Sequence, residues 1–258
     1  IIYFSLNMSK EVFTHMKYGL IISIVLILVL SIGLIGCSSS PSGNVVATSN
    51  QELKATSKER IEIKGSDTLL QLVANMAETY GKTHSGHITV TGGGSGTGIA
   101  ALLNGEADVA DSSRPIKQKE IEQAKNLGFT PIEVIVGRDM VSIITHTDNP
   151  VTELSMQEIA DIYTGKITNW KDVGGNDQTI TLYGRQSTSG TYAFFMEHVL
   201  KADYSPKMRN MEGNSAILEA VKQDDAGIGY VGLGYVKDKQ GNQVPGISIV
   251  GVSEKEGG

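Results

Sequence analysis

The segment GRQSTSGTYAFF, Gly184–Phe195, sets one arginine and a cluster of hydroxyl side chains (Ser187, Thr188, Ser189 and Thr191) between a short apolar run and an aromatic, helix-like one. These residue types suit an oxyanion. The first amides of a helix have no partner inside the helix, and the helix dipole adds partial positive charge there. An anion at that point is stabilised by neutral donors, with hydroxyls adding to the amides and glycine allowing close approach of the backbone. Arg185 follows directly on the apolar run and would add a full charge and planar donors.

Two more turns have the same character. GSDT (65–68) and GGGSGTG (92–98) each join an alternating apolar stretch to a helical pattern, and GEADVADSSRPI (105–116) ends in two serines, Arg114 and a proline. Each also has an ordinary reading, since Ser, Thr and Gly are common helix-capping and turn residues. The glycine-rich turn lacks the Gly-Lys-Ser/Thr of a P-loop and the GxGxxG spacing, so a nucleotide is not indicated. His84 and His87, in HSGH, have no clustered carboxylates and read as a solvated loop rather than a metal site.

The elements that position these turns alternate in type. Ile61 and Ile63, Ile88 and Val90, and Ile180 and Leu182 have strand periodicity. A helical face follows the first pair through Leu69, Leu72, Val73, Met76, Ala77 and Tyr80. Others follow through Ile99, Leu102 and Leu103, and through Phe195, Met196, Val199 and Leu200. Val109 marks a further short strand. Strand–turn–helix units of this kind predict an α/β fold with mostly parallel sheets, which places ligands at the carboxyl ends of strands.

The chain has 258 residues and a formal net charge of -6, which speaks against a nucleic-acid partner. Its single cysteine, Cys37, rules out a disulfide framework and a cysteine-based zinc site. Residues 1–36 read as a signal segment, with 1–15 expected not to be native. From Met16 and Lys17 an uncharged apolar run extends over Leu20–Ile35 and stops at Cys37, after a glycine. This pattern resembles a lipoprotein signal, with Cys37 as the lipid attachment point; a membrane-spanning helix is the rival reading. Residues 37–58 then form the anchor and a flexible tether rich in small polar residues.

The segments IKGSDTLL, GGGSGTGIAALLNGEADVADSSRPI, EIADIYTGKITNWKDVGG, GRQSTSGTYAFF and AGIGYVGLGYV, in that order, resemble the phosphate-binding subunit of bacterial and archaeal phosphate ABC transporters, a periplasmic-binding-protein-like family. The resemblance covers about residues 60–251. It implies a two-lobed (type II) fold with a hinge: lobe 1 at 59–138, lobe 2 at 139–245, and 246–258 returning toward lobe 1, whose C-terminal part is missing if the chain is truncated. It implies a monomeric, lipid-anchored, extracytoplasmic receptor that captures inorganic phosphate between its lobes and delivers it to a membrane permease, with no cofactor, no metal and no catalysis. The phosphate contacts carried over are Thr68, the Leu69 backbone, Ser95, Ser113, Arg185, Ser189, Gly190 and Thr191.

Two positions depart from that pattern. The best-known members have a carboxylate where this chain has Ser113, and it accepts the proton of hydrogen phosphate; Asp67 is the expected substitute acceptor, with Asp111 second. Members also pair the arginine with an acid at the position of Ser187, which leaves Arg185 with less compensated charge. A receptor for sulfate or arsenate, a phosphate sensor and a serine hydrolase or phosphatase are the alternatives. Trp170 and Tyr163 are expected to be packing residues of the second lobe.

Overall fold

The computed structural model describes residues 2–8, 60–238 and 240–253. Two five-stranded sheets, each packed with helices, are joined where β5 (Ile132–Asp139) passes through Met140 into β6 (Val141–His146).

The first sheet is built from the strand–turn–helix units. β2 (Arg60–Gly65) runs parallel to β3 (His87–Thr91) and to β4 (Val109–Ser112). Helices α1 (Leu70–Gly81), α2 (Ser95–Leu103) and α3 (Gln118–Asn126) pack on it. One face buries Ile63, Leu69, Val73 and Val109, and the other Ile99, Leu102 and Ala110. Gly98 is needed where α2 meets β2, because a Cβ there would fall 2.2 Å from the Lys64 carbonyl oxygen.

The predicted apolar face of α1 divides in two. Leu69 and Val73 are buried, whereas Leu72, Met76 and Tyr80 are between 43% and 49% exposed. The periodicity groups two adjacent i, i+4 rows into one face, and the sheet is in contact with only one of them.

Residues 2–8, expected to belong to the signal segment, form strand β1 (Ile2–Met8) in this sheet. It lies antiparallel between β4 and β5, giving the order β3-β2-β4-β1-β5. Ile, Tyr and Phe in IYFSLNM supply strand propensity. The remainder of the leader, Cys37 and the tether lie outside the described residues. Among the described residues, no helix is long and apolar enough to cross a membrane.

The second sheet has the order β11-β6-β10-β8-β9. β8 (Thr181–Arg185) lies parallel to β9 (Arg209–Met211) and to β10 (Gly227–Gly232), while β6 and β11 (Ile247–Ile249) are antiparallel. A small pair, β7 (Glu153–Ser155) with β12 (Gly251–Ser253), completes the strands. Residues 247–253, expected to return toward lobe 1, therefore pair with β6 and β7, strands that follow the crossover. Ile247 and Val250 are buried there, so leaving would expose apolar surface.

Helix α4 (Met156–Thr164) begins with a capping box, in which the Ser155 hydroxyl accepts the Glu158 amide at 3.1 Å and Glu158 accepts the Ser155 amide at 2.7 Å. It carries Tyr163 into a core shared with Trp170, Phe195 and Tyr230. Tyr163 donates to the Tyr183 carbonyl, and the Trp170 indole N–H donates to the Ala226 carbonyl at 2.9 Å. Both fully buried rings thus have their polar atoms satisfied.

Trp170 fixes the loop before β8 to the loop before β10. Trp170→Ala is expected to lower the unfolding free energy by about 3–5 kcal/mol, and Trp170→Phe by less, in a urea titration. A loss under about 1 kcal/mol for the alanine variant would show that the indole is not a core element.

Candidate functional site

The four marked turns meet at the seam between the two sheets. The β2–α1 turn presents Thr68, whose hydroxyl lies 2.7 Å from that of Thr191 at the start of α5 (Gly190–Phe195). Ser95, the first residue of α2, accepts the Ser113 amide at 3.0 Å, and the two hydroxyls are 3.2 Å apart. Ser66 donates to the Ser113 hydroxyl at 3.1 Å. Ser189 caps α5 by accepting the Tyr192 amide. Thr68, Ser95, Ser113, Ser189 and Thr191 are all buried.

Gly190 is what lets the second-lobe turn enter this cluster. A Cβ there would fall 2.4 Å from the Ser95 hydroxyl and 2.6 Å from that of Ser113. The neighbouring Thr188 carbonyl accepts the Gly96 amide at 2.8 Å, another bond between the lobes. The Leu69 amide, expected to face an anion, is engaged in its own turn, donating to the Ser66 carbonyl at 3.2 Å and more weakly to the Ser66 hydroxyl at 3.4 Å.

Arg185, at the carboxyl end of β8, is 1% exposed. Its Nη2 donates to the Glu212 carbonyl at 3.2 Å, while Nε and Nη1 are buried without a hydrogen-bond partner. Nη1 lies 3.7 Å from Asp67 Oδ2. Burial pushes the guanidinium pKa down, and the carboxylate of Asp67 works against that. A buried guanidinium with unspent donors is costly unless an anion completes it. The carboxylate facing Arg185 thus comes from the opposite lobe. Its Oδ2 also accepts the Asn214 amide at 2.9 Å and the Asn214 side chain at 3.3 Å.

Arg114 does not join the cluster. It forms a forked pair with Glu120, at 2.9 and 2.8 Å, beside the start of α3. Of the histidines, His84 stacks on Tyr80, and the His198 ring bonds to the Phe194 carbonyl. A cavity of about 220 Å³ opens elsewhere in the second lobe, lined by Ile162, Thr168, Leu182 and Arg209 among others, and is separate from the hydroxyl cluster.

Sequence reasoning missed Asn214 and Tyr235. Asn214 is fully buried at the start of α6 (Asn214–Lys222) and accepts the Gly232 amide at 3.1 Å. Tyr235 donates to the Asp67 carbonyl at 2.6 Å. Neither signal is local, since each residue matters only through meeting the first turn in space.

Asp111, on β4, is fully buried, and neither carboxylate oxygen completes a hydrogen bond. Burial pushes its pKa from 3.8 to about 7, and the charge of Asp67 adds to this. Between those values the folded protein holds a proton that the unfolded chain has released, so stability falls as pH rises through the window. Asp111→Asn should remove that slope, gaining on the order of 4 kcal/mol relative to the unmodified chain between pH 4 and pH 8. Parallel slopes for the two proteins in denaturant titrations would contradict it.

The family described as PBP superfamily domain matches residues 50–256. The phosphate-binding protein PstS of Pseudomonas aeruginosa is 32% identical over 208 residues, covering 75% of this chain; the chain spans 62% of that relative's length. The protein of the same name from Staphylococcus epidermidis is 31% identical over 228 residues, covering 87% of this chain and 67% of its own length. A Clostridium perfringens structure with bound phosphate, assigned to phosphate ABC transport as a substrate-binding protein, has a TM-score of 0.67 and 33% identity, covering 77% of each chain. An ABC-type phosphate transport receptor from Vibrio cholerae gives 0.54 and 28%, covering 76% of this chain and 78% of its own. By these likenesses the chain belongs to the PBP superfamily, in its PstS-like branch.

Proposed function

We propose that this chain binds inorganic phosphate between its lobes, as the solute-binding component of an ABC importer. The reading is carried by one observation: the buried, unpartnered Nε and Nη1 of Arg185 stand at the same seam as hydroxyls contributed by both lobes. A tetrahedral oxyanion entering there exchanges weak hydroxyl–hydroxyl pairs for charge-assisted bonds, which are roughly twice as strong. Thr68, Ser95, Ser113, Ser189, Gly190 and Thr191 serve as its neutral donors and close-approach points, with Leu69 positioning the first turn. Exclusion of water on closure strengthens each bond.

Binding rather than turnover fits the contacts of the serines. The Ser66 and Ser95 hydroxyls each bond to that of Ser113, and the hydroxyl of Ser189 caps a helix, so none of these is paired with a general base. Discrimination from sulfate falls to Asp67. Its hydrogen bonds fall on Oδ2, which makes Oδ1 the acceptor for the proton of hydrogen phosphate. The protein works as a monomer, tethered outside the cytoplasmic membrane through lipid on Cys37, in which form residues 1–36 are removed and β1 with them, and it passes phosphate to a permease.

Calorimetric titration with phosphate and then sulfate tests this. Phosphate is expected to bind and sulfate to be largely ignored, and Arg185→Ala should weaken phosphate by about 10- to 100-fold. Equal binding of both anions would remove the proton-reading role of Asp67. Absence of binding by the folded protein would remove the phosphate assignment.

A further inference from the structure

Asp67 has a second oxygen whose partners all lie on the other lobe. Oδ2 receives the Asn214 amide and side chain and faces Arg185 Nη1. The fit is tight: a Cβ at Gly213 would fall 2.5 Å from that oxygen. The same residue's carbonyl accepts the Tyr235 hydroxyl at 2.6 Å. The next residue, Thr68, receives the Asn214 side chain at 3.4 Å. Three segments of the second lobe, the end of β8, the start of α6 and the turn after β10, thus converge on one first-lobe residue.

We propose that Asp67 is a positioning residue that latches the lobes: through Oδ2 and its carbonyl it fastens the first turn to Arg185, Asn214 and Tyr235, so that closure and orientation of the guanidinium are one event. In other arrangements of an arginine and an acid on the same strand, the pair forms whether the lobes are open or closed. Here the acid arrives only with closure. Opening leaves Arg185 without its carboxylate and exposes it to solvent anions; closing neutralises it in a fixed orientation. The anion-handling part of this inference rests on the phosphate reading, whereas the latch itself rests on the protein's own contacts.

The test is amide hydrogen exchange on the full chain, read at Gly96. Its amide bonds to Thr188 across the seam, and neither residue touches Asp67 in this network. Asp67→Asn keeps the side-chain shape and removes the charge. It is expected to speed exchange at Gly96 by about 10-fold or more, within the usual range of coupling between sites, with the β6 and β10 amides unchanged. A merely local structural role would leave Gly96 at its original rate, and that result would overturn the latch. Should Asp67→Asn speed all amides together, Tyr235→Phe decides, since it removes only one hydroxyl. Selective acceleration at Gly96 in that variant supports the latch, and an unchanged rate overturns it. Inorganic phosphate added to the unmodified chain should slow Gly96 exchange; if it does not, the phosphate reading fails while the result for Asp67 stands on its own.

Discussion

A guanidinium taken out of water must be given its anion by something, and in this protein the two halves of the answer lie on different sheets. Arg185 closes β8 with 1% of its surface exposed, and the carboxylate nearest to it belongs to the β2–α1 turn. Coulombic attraction at such a separation is strong only where solvent is excluded, so it depends on the lobes being together. The seam's other features follow from that requirement. Glycine stands where backbone must meet hydroxyl, and Asn214 spreads its amide groups over Asp67, Thr68 and Gly232. Aromatic rings of Tyr163, Phe195 and Tyr230 support the Arg185 end from below, with Tyr230 accepting the Arg185 amide.

The parts of this arrangement that were legible beforehand are those coded within a short stretch. Alternation at Ile61 and Ile63, alternation at Ile88 and Val90, and the turn after Gly184 each state their local structure in adjacent residues, and each is found in place. Arg114 illustrates the limit. It had the right type and neighbours for the rim, but Glu120, six residues on, satisfies it in a fork. Asn214 shows the reverse. Nothing in GNSAI distinguishes it, because its meaning lies in Asp67, 147 positions away. The exposed row on α1 has a related cause: periodicity reports which residues share a face, not how much of that face a neighbour will cover.

Asp111 and Arg185 form an instructive contrast. Both are buried with unpaired polar atoms. The acid answers by holding its proton up to about pH 7, which removes its charge below that pH. An arginine has no such escape near neutral pH and must find an anion instead. One buried group is therefore a tolerated burden of the first sheet, and the other supplies the drive for bringing two sheets together.

The placement of β1 has a consequence for how the chain reaches this state. β4 and β5 do not bond to each other; the strand between them comes from residues 2–8, with Met8 opposite Val109, roughly a hundred residues away along the chain. The second sheet instead draws all five strands from one continuous stretch, Val141–Ile249. Entropy of loop closure makes the first arrangement the slower to form. The turn bearing Asp67 does not wait for it: β2 pairs with β3 and β4 alone, so the cleft assembles whether or not residues 2–8 are in the sheet.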